Sequence, residues 1–335
     1  MLAGGQLTGR FAWPAELIDA GRRYTREDST ENLRSLEEAR RRAAREIVSL
    51  QASVGFGYLT DGGVGFLDAF TPYATDLKGV GSGGNIDKYP GTRNSYYHTP
   101  VVRGALKGGS LIEKHLFTDE LVSGKKKVIL PSPASLALAS ENSFYPNLEE
   151  LMAAFASVLR EDVRRLEAAG YEMIQLNECF LTIPRFSKKV GGGFVGSFVE
   201  SIDRVFKGSG KRSCLYFHSG DASSFLPKVA GTSITDLGFD FHTPPTAVRS
   251  SRTGKNLVLG LQNTTRKLPE DWLDREPEEL ASRAKEYIRV LGSDEEHEVF
   301  LSPSQDYDGL QTYPQAKRRL ENLAKAVSLL RGRGQ

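Results

Sequence analysis

The sequence predicts a parallel α/β fold closed as a single (β/α)8 TIM barrel, and three observations carry that expectation. About eight short apolar strands recur along the 335 residues, helices of roughly 10 to 22 residues separate most of them, and the strands end in polar side chains. One catalytic domain over residues 1–335 accounts for the length, with 1–30 as an N-terminal extension and 79–95 as a glycine-rich excursion. No tandem repeat or low-complexity linker divides the chain. A doubly wound open sheet is the alternative, but no Gly-x-Gly-x-x-Gly opens a first strand–helix turn. The run Gly191-Gly192-Gly193-Phe194-Val195-Gly196 lacks the lysine of a phosphate loop and reads as a turn or an active-site loop.

The elements follow in order. Residues 32–51 place Leu33, Leu36, Ala39, Ala43, Ile47 and Leu50 at helical spacing with Arg and Glu between them, which predicts an amphipathic helix. Residues 56–60 form a strand stopped by Asp61-Gly62-Gly63. Residues 79–91 carry five glycines without periodicity and read as a loop, followed by a strand over 96–102. An apolar strand over 127–130 is cut by Pro131-Ser132-Pro133. A helix over 147–168 turns Leu151, Phe155, Leu159, Val163 and Leu166 inward and closes on Gly170. The strand over 173–178 delivers Asn177, Glu178 and Cys179 at its end. A helix over 198–206 and strands over 213–217, 237–241, 257–261 and 299–301 follow, ending at His218, His242, Asn263 and Ser302, and a helix over 315–330 closes the chain.

Charge excludes some partners. Lys plus Arg number 44 and Asp plus Glu 42, alternating along helices, so the basic face of a nucleic-acid binder is not expected. No stretch has the length and apolarity of a membrane span, and two cysteines make no disulfide framework, which predicts a cytoplasmic setting. Abundant Arg and Glu with few Met and Cys lean toward a thermophile.

Ionisable side chains gather at strand ends: Asp61, Glu178, His218, Asp221, His242, Asp306 and Asp308, with the amide Asn263 among them. In a barrel these ends converge on one mouth, where two histidines and several carboxylates make either a metal site or an acid/base pair. A single strand-end His or Asp also serves as a cap, and a Cys among apolar residues as a small core hydrophobe. Cys214 is assigned to the core, and Cys179, beside Glu178, to the pocket wall.

Ile174-Gln175-Leu176-Asn177-Glu178 resembles the Ile-Gln-x-Asp-Glu strand of the cobalamin-independent methionine synthase catalytic domain. The resemblance, to short archaeal-type members, covers most of the chain from about Asp61 onward. It continues through Asp61-Gly62-Gly63, Asp68-Ala69-Phe70, Arg93-Asn94-Ser95-Tyr96-Tyr97 with Pro100-Val101-Val102, and the helix ending at Gly170. Tyr216-Phe217-His218 and Asp308-Gly309-Leu310-Gln311-Thr312-Tyr313-Pro314 complete it. It implies a TIM barrel of the methionine synthase and uroporphyrinogen decarboxylase type. It also implies a zinc held by His, Cys, Glu and Cys that binds homocysteine as thiolate, with the methyl group coming from a folate or a corrinoid carrier.

Several positions depart from that pattern. His218 matches the first ligand; Gly220 stands where the second ligand is Cys; the Glu falls near Phe241 or His242; and the last Cys corresponds to Asp308, with Asp306 as the gapped alternative. Asn177 replaces an Asp and Gly63 an acidic residue, both partners of the homocysteine ammonium. The expected activity is therefore methyl transfer to a small thiol or related acceptor, diverged from homocysteine, within methionine biosynthesis-like chemistry. A metal-dependent lyase or oxidative enzyme using a His/His/Asp site, with iron, is the alternative, and a non-catalytic binding protein a third. Expected catalytic residues are Glu178, Asn177 and Asp61; substrate contacts Asp68, Cys179 and Asn263; and ligands of a divalent metal, zinc by resemblance, His218, His242 and Asp308. Expected partners are a small-molecule substrate and a corrinoid or methyl-carrier protein.

Overall fold

Eight parallel strands make the main sheet: β1 (Ala3–Gly5), β2 (Tyr58–Leu59), β3 (Lys125–Pro131), β4 (Tyr171–Glu178), β5 (Arg212–Phe217), β6 (Asp236–Asp240), β7 (Asn256–Gln262) and β8 (Val299–Pro303). Their spatial order is β1-β8-β7-β6-β5-β4-β3-β2. The computed structural model describes residues 3–81, 84–88, 96–183, 186, 190–191, 193–218, 222–241, 253–264, 269–291, 296–307 and 312–332.

The sheet is strongly curled. In a flat sheet β4 would lie five strands from β1, about 24 Å away at about 4.8 Å per strand. Instead the side-chain amides of Gln175 and Asn177 on β4 each donate to the Thr8 carbonyl just after β1, at 3.0 Å. Lys127 on β3 likewise donates to the Gln6 side chain and the Leu7 carbonyl, at 2.7 and 2.6 Å. Among the described residues no ladder joins the end strands β1 and β2. They approach nonetheless: the Phe11 amide donates to the Gly62 carbonyl at 3.0 Å, and a Cβ on Gly5 would lie 2.2 Å from the Phe56 ring.

Helices cover the outer face because their apolar stripes match the outward residues of the strands. Thr30–Ser53 is capped by Ser29, whose hydroxyl accepts from the Asn32 amide, and buries Leu36, Ala39, Ala43, Ile47 and Leu50. Leu148–Ala168 is capped by Asn147 and stops before Gly170, whose φ of 85° is open to glycine at little cost. Helix Glu270–Leu291 contains Pro277, which cannot donate to the Leu273 carbonyl; Asn322 of the last helix, Tyr313–Arg331, donates to that carbonyl instead, at 2.7 Å.

Two segments differ from expectation. The N-terminal stretch supplies β1 and the helix Ala15–Arg26; three residues, two of them Gly, are too few to show a period. The glycine-rich excursion holds strands. Lys78–Gly81 pairs antiparallel with Val101–Lys107, and Ile86–Lys88 with Tyr96–His98, so the strand expected over 96–102 breaks at Thr99-Pro100.

Inside the curl, side chains fill layers. At the N-terminal end Arg212 bonds Asp236 through Nε and Nη2, at 2.6 to 3.0 Å, and also bonds Glu298; the rings of Tyr58 and Phe300 lie 5.5 and 4.8 Å from its guanidinium carbon. Above that floor, Met173, Cys214, Tyr216, Val258 and Phe300 form an apolar plug. Gly238 and Gly260 make room for Tyr216: a Cβ on Gly260 would sit 1.9 Å from its hydroxyl. The hydroxyl donates to the Ser304 carbonyl at 2.9 Å, spanning the curl from β5 to the end of β8.

Candidate functional site

The C-terminal ends of the strands carry the remaining polar groups. A narrow cavity of about 40 Å³ opens there, lined by Arg10, Asp61, Lys127, Asn177 and Asp306 with the apolar Phe66 and Ile129. That is room for about three waters.

Arg10 roofs the cavity. Its backbone N–H donates to Asp306 Oδ1 at 2.7 Å and its Nε to Oδ2 at 3.2 Å, while Nη1 donates to the Leu67 carbonyl. Gly9 permits this approach, since a Cβ there would lie 2.0 Å from Asp306 Oδ1. Gly63, at φ 64°, lies under the Arg10 stem, with 2.6 Å between its Cβ position and Arg10 Cγ. The Arg10 stem thus occupies the space over Gly63, where the family pattern has an acidic residue, and its guanidinium holds the carboxylate of Asp306.

Asp61 and Asn177, two of the three expected catalytic residues, come together on the cavity wall. Asp61 accepts from the Gly63 amide at 2.9 Å and the Phe117 amide at 3.0 Å; burial pushes its carboxyl up while those amides pull it down. Asn177 is tied at both ends: Nδ2 donates to the Thr8 carbonyl and Oδ1 accepts from Gln175 Nε2 at 2.7 Å. An aspartate could not make the first bond. The amide read from sequence as a substrate signal therefore also holds β4 to β1.

Glu178 faces the other way. Alternation along β4 turns Gln175 and Asn177 inward and Glu178 outward. Its Oε1 accepts from the amides of Phe180 and Leu181, at 2.9 and 2.7 Å, and its Oε2 from the Ser132 hydroxyl. Burial raises its carboxyl, opposed first by Ser132 and then by those amides. Its geometry is that of a loop anchor, and it is absent from the cavity wall. Cys179 lies beside it, with its amide donating to Ser135 at 2.7 Å; burial, then the Glu178 charge, pushes the thiol well above its ordinary value, so it is no thiolate.

Asp68 is buried and accepts from the Phe70 and Thr71 amides, the Thr71 hydroxyl and both the amide and Nδ1 of His98, at 2.7 to 3.2 Å. Those bonds hold the start of helix Thr71–Thr75 against the strand Tyr96–His98. Asn263 is buried just beyond β7.

His218 follows β5, its amide donating to the Glu178 carbonyl at 3.0 Å and its ring set edge-on to Tyr216 with centroids 5.3 Å apart. Its Nε2 is buried without a hydrogen-bond partner among the described residues. Burial lowers its pKa to about 4, so the ring is neutral and Nε2 is available to a ligand or a metal. Gln305 holds the neighbouring strand ends, donating to the His218 carbonyl at 3.1 Å and to Asp240 at 2.9 Å. His242 and Asp308, expected to complete a metal site, and Asp221 lie outside the described residues. Among the described residues no three His, Cys, Asp or Glu side chains gather as a metal site. The orphaned, neutral His218 nitrogen fits one ligand position, and Asp306 is engaged by Arg10.

Sequence reading missed Arg10 and Lys127. Arg10 sits in the aperiodic N-terminal stretch. Lys127 was absorbed into an apolar run, although its parity with Ile129 marks a charge turned to the same inward face.

Comparison with known proteins places this fold. The B12-independent methionine synthase from Shewanella sp. W3-18-1, in complex with selenomethionine, superposes with TM-score 0.78 over 99% of each chain at 17% identity. A methyltransferase from Methanosarcina mazei superposes with TM-score 0.57 over 100% of this chain and 94% of that one, at 13% identity. In sequence, methionine synthase from Saccharolobus solfataricus is 23% identical over 207 residues, 61% of this chain and 59% of that protein. Several methionine synthases of Saccharolobus islandicus are 24% identical over 125 residues, and those matches span 34% of their length. No protein-family model matches the sequence.

Proposed function

We propose that this chain is a methyltransferase resembling the B12-independent methionine synthases, built on a closed (β/α)8 barrel and acting on a small thiol or related acceptor other than homocysteine. The full-length superposition on the Shewanella enzyme supports the fold. The observation that carries the chemistry is His218, whose neutral Nε2, without a hydrogen-bond partner among the described residues, stands at the strand-end position that the sequence resemblance gives to a metal-binding histidine. Asp61 and Asn177 contact the ligand on this reading; Glu178 and Asp68 position the loops around it; Cys179 and Asn263 border it; and a carrier protein or folate delivers the methyl group.

His218, with His242 and Asp308, would hold a divalent metal, which lowers the pKa of a bound thiol. The protein's own residues hold the ligand, exclude water and fix the strand ends. Gly63, covered by the Arg10 stem, and Asn177, tied to Thr8, offer no carboxylate at the two positions where the resemblance places partners of an ammonium group, which supports an acceptor other than homocysteine.

The test incubates purified protein with a panel of thiols and either methyl-folate or methylcobalamin, and reads S-methyl product by mass spectrometry. Methylation of a thiol in preference to homocysteine is the expected result. No product from any pair would overturn the reading. Metal analysis of protein prepared without chelator should find zinc that is lost in His218→Ala; stoichiometric iron would favour the lyase or oxidative alternative.

A further inference from the structure

The cavity floor holds a buried amine with an unusual set of partners. Lys127 is 1% exposed, on the inward face of β3. Its Nζ donates to Gln6 Oε1 at 2.7 Å and to the Leu7 carbonyl at 2.6 Å. Two acceptors and Cε fill three of the four tetrahedral positions around the nitrogen. The fourth has no protein partner among the described residues and is left for whatever occupies the cavity that Lys127 lines.

This arrangement suits a proton acceptor. A neutral amine has two N–H groups, which satisfy both acceptors, and a lone pair at the fourth position. An ammonium keeps both bonds and places its third N–H there instead. The clamp on β1 is the same in both states, so gaining or losing a proton leaves no buried acceptor unsatisfied.

The charged groups around Lys127 also fit. Below it, Asp236 is paired with Arg212, and burial keeps the Cys214 thiol protonated. Around the cavity, Asp306 is held by Arg10, and both oxygens of Asp61 accept backbone amides. Burial lowers the Lys127 pKa to about 7, with Cys214 and Asp236 opposing and Arg212 adding to the shift.

We propose that Lys127 is the general base of this pocket, taking the proton of an acidic X–H acceptor, a thiol on the reading above, on which the acceptor's identity rests. The S–H bond breaks with its electron pair left on sulfur, and the proton becomes the third N–H of Nζ. The thiolate then takes the methyl group, whose former bonding pair leaves with the donor.

The first experiment needs no turnover. Cyanate at pH 7 carbamoylates only neutral amines: isocyanic acid bonds through its carbon to Nζ while the amine proton passes to its nitrogen. A surface lysine near 10.5 carries about 10³-fold less neutral amine at pH 7 than a group near 7. Peptide mapping by mass spectrometry should therefore find Lys127 carbamoylated roughly tenfold or more faster than surface lysines, allowing for its restricted access. A rate for Lys127 no faster than theirs would overturn the proposal.

The second experiment reads thiol methylation. Wild-type kcat/KM should rise through pH 7 and level off. In Lys127→Arg, which cannot deprotonate, it should fall by about 10² or more and lose that limb. Small amines should restore part of the activity of a folded Lys127→Met. An unchanged pH profile in Lys127→Arg overturns the base. A wild-type protein inactive on every thiol, with Lys127 still carbamoylated first, overturns the thiol acceptor and supports the base.

Discussion

The two ends of the curled sheet bury charge in opposite ways. At the N-terminal end Arg212 is bonded to Asp236 and Glu298 and flanked by Tyr58 and Phe300, so each charge has a partner of opposite sign. At the C-terminal end Arg10 pairs with Asp306, but two nitrogens are left open: among the described residues His218 Nε2 has no partner, and Lys127 Nζ has two acceptors and one tetrahedral position unfilled. Neutralised charge makes a rigid floor, whereas an open buried nitrogen is affordable only where something else comes to bind it.

Substitutions can break or sharpen that contrast. The largest effect is expected at the floor: Arg212→Met strands the buried Asp236 carboxylate and should lower the unfolding free energy by about 3–5 kcal/mol, read by urea denaturation. If the loss is under about 1 kcal/mol, the floor pairing is not what stabilises that end.

Asn177→Asp comes next. Replacing Nδ2 by oxygen sets it against the Thr8 carbonyl at 3.0 Å, for an expected loss of about 1–3 kcal/mol at neutral pH. Burial should raise this new carboxyl above its unfolded value, so the folded state holds the proton longer. The deficit is then smallest at acid pH and grows as pH rises through the folded pKa. A deficit that shrinks with rising pH would contradict the Thr8 contact.

Gly260→Ala tests the plug between the two ends. A Cβ 1.9 Å from the Tyr216 hydroxyl and 2.8 Å from the Phe239 carbonyl should cost about 1–3 kcal/mol by overpacking, seen as a lower Tm. Tyr216→Phe in that background removes the hydroxyl and should recover part of it.

The smallest effect on stability is expected at His218. Its Nε2 has no hydrogen-bond partner among the described residues, so His218→Gln should change the unfolding free energy by less than about 1 kcal/mol while abolishing metal retention. A stability loss matching that of Arg212→Met would make His218 a structural group and remove the contrast.

The alternation of strand and helix, the helix capped by Asn147 and the polar ends of β4 and β5 were legible because each depends on residues close in sequence. Asp61 and Asn177, read as strand-end residues, both line the cavity wall. Glu178 and Asn177 were read as a pair, yet period two turns neighbours to opposite faces, and the carboxylate went to the loop while the amide went to the cavity. Strand β1 escaped because three residues cannot show a period, and Arg10 and Lys127 escaped because nothing local marks their partners.

The sequence by itself determined the alternation of strand and helix along most of the chain and the polar character of the strand ends, consequences of 3.6- and 2-residue periods. The tertiary structure decided what those side chains meet. The curl brings Thr8 to Asn177, 169 residues away, and Asp306 to Arg10, 296 residues away. A hydrogen bond is a short-range contact, so its partner is fixed by the three-dimensional path of the chain and not by distance along it.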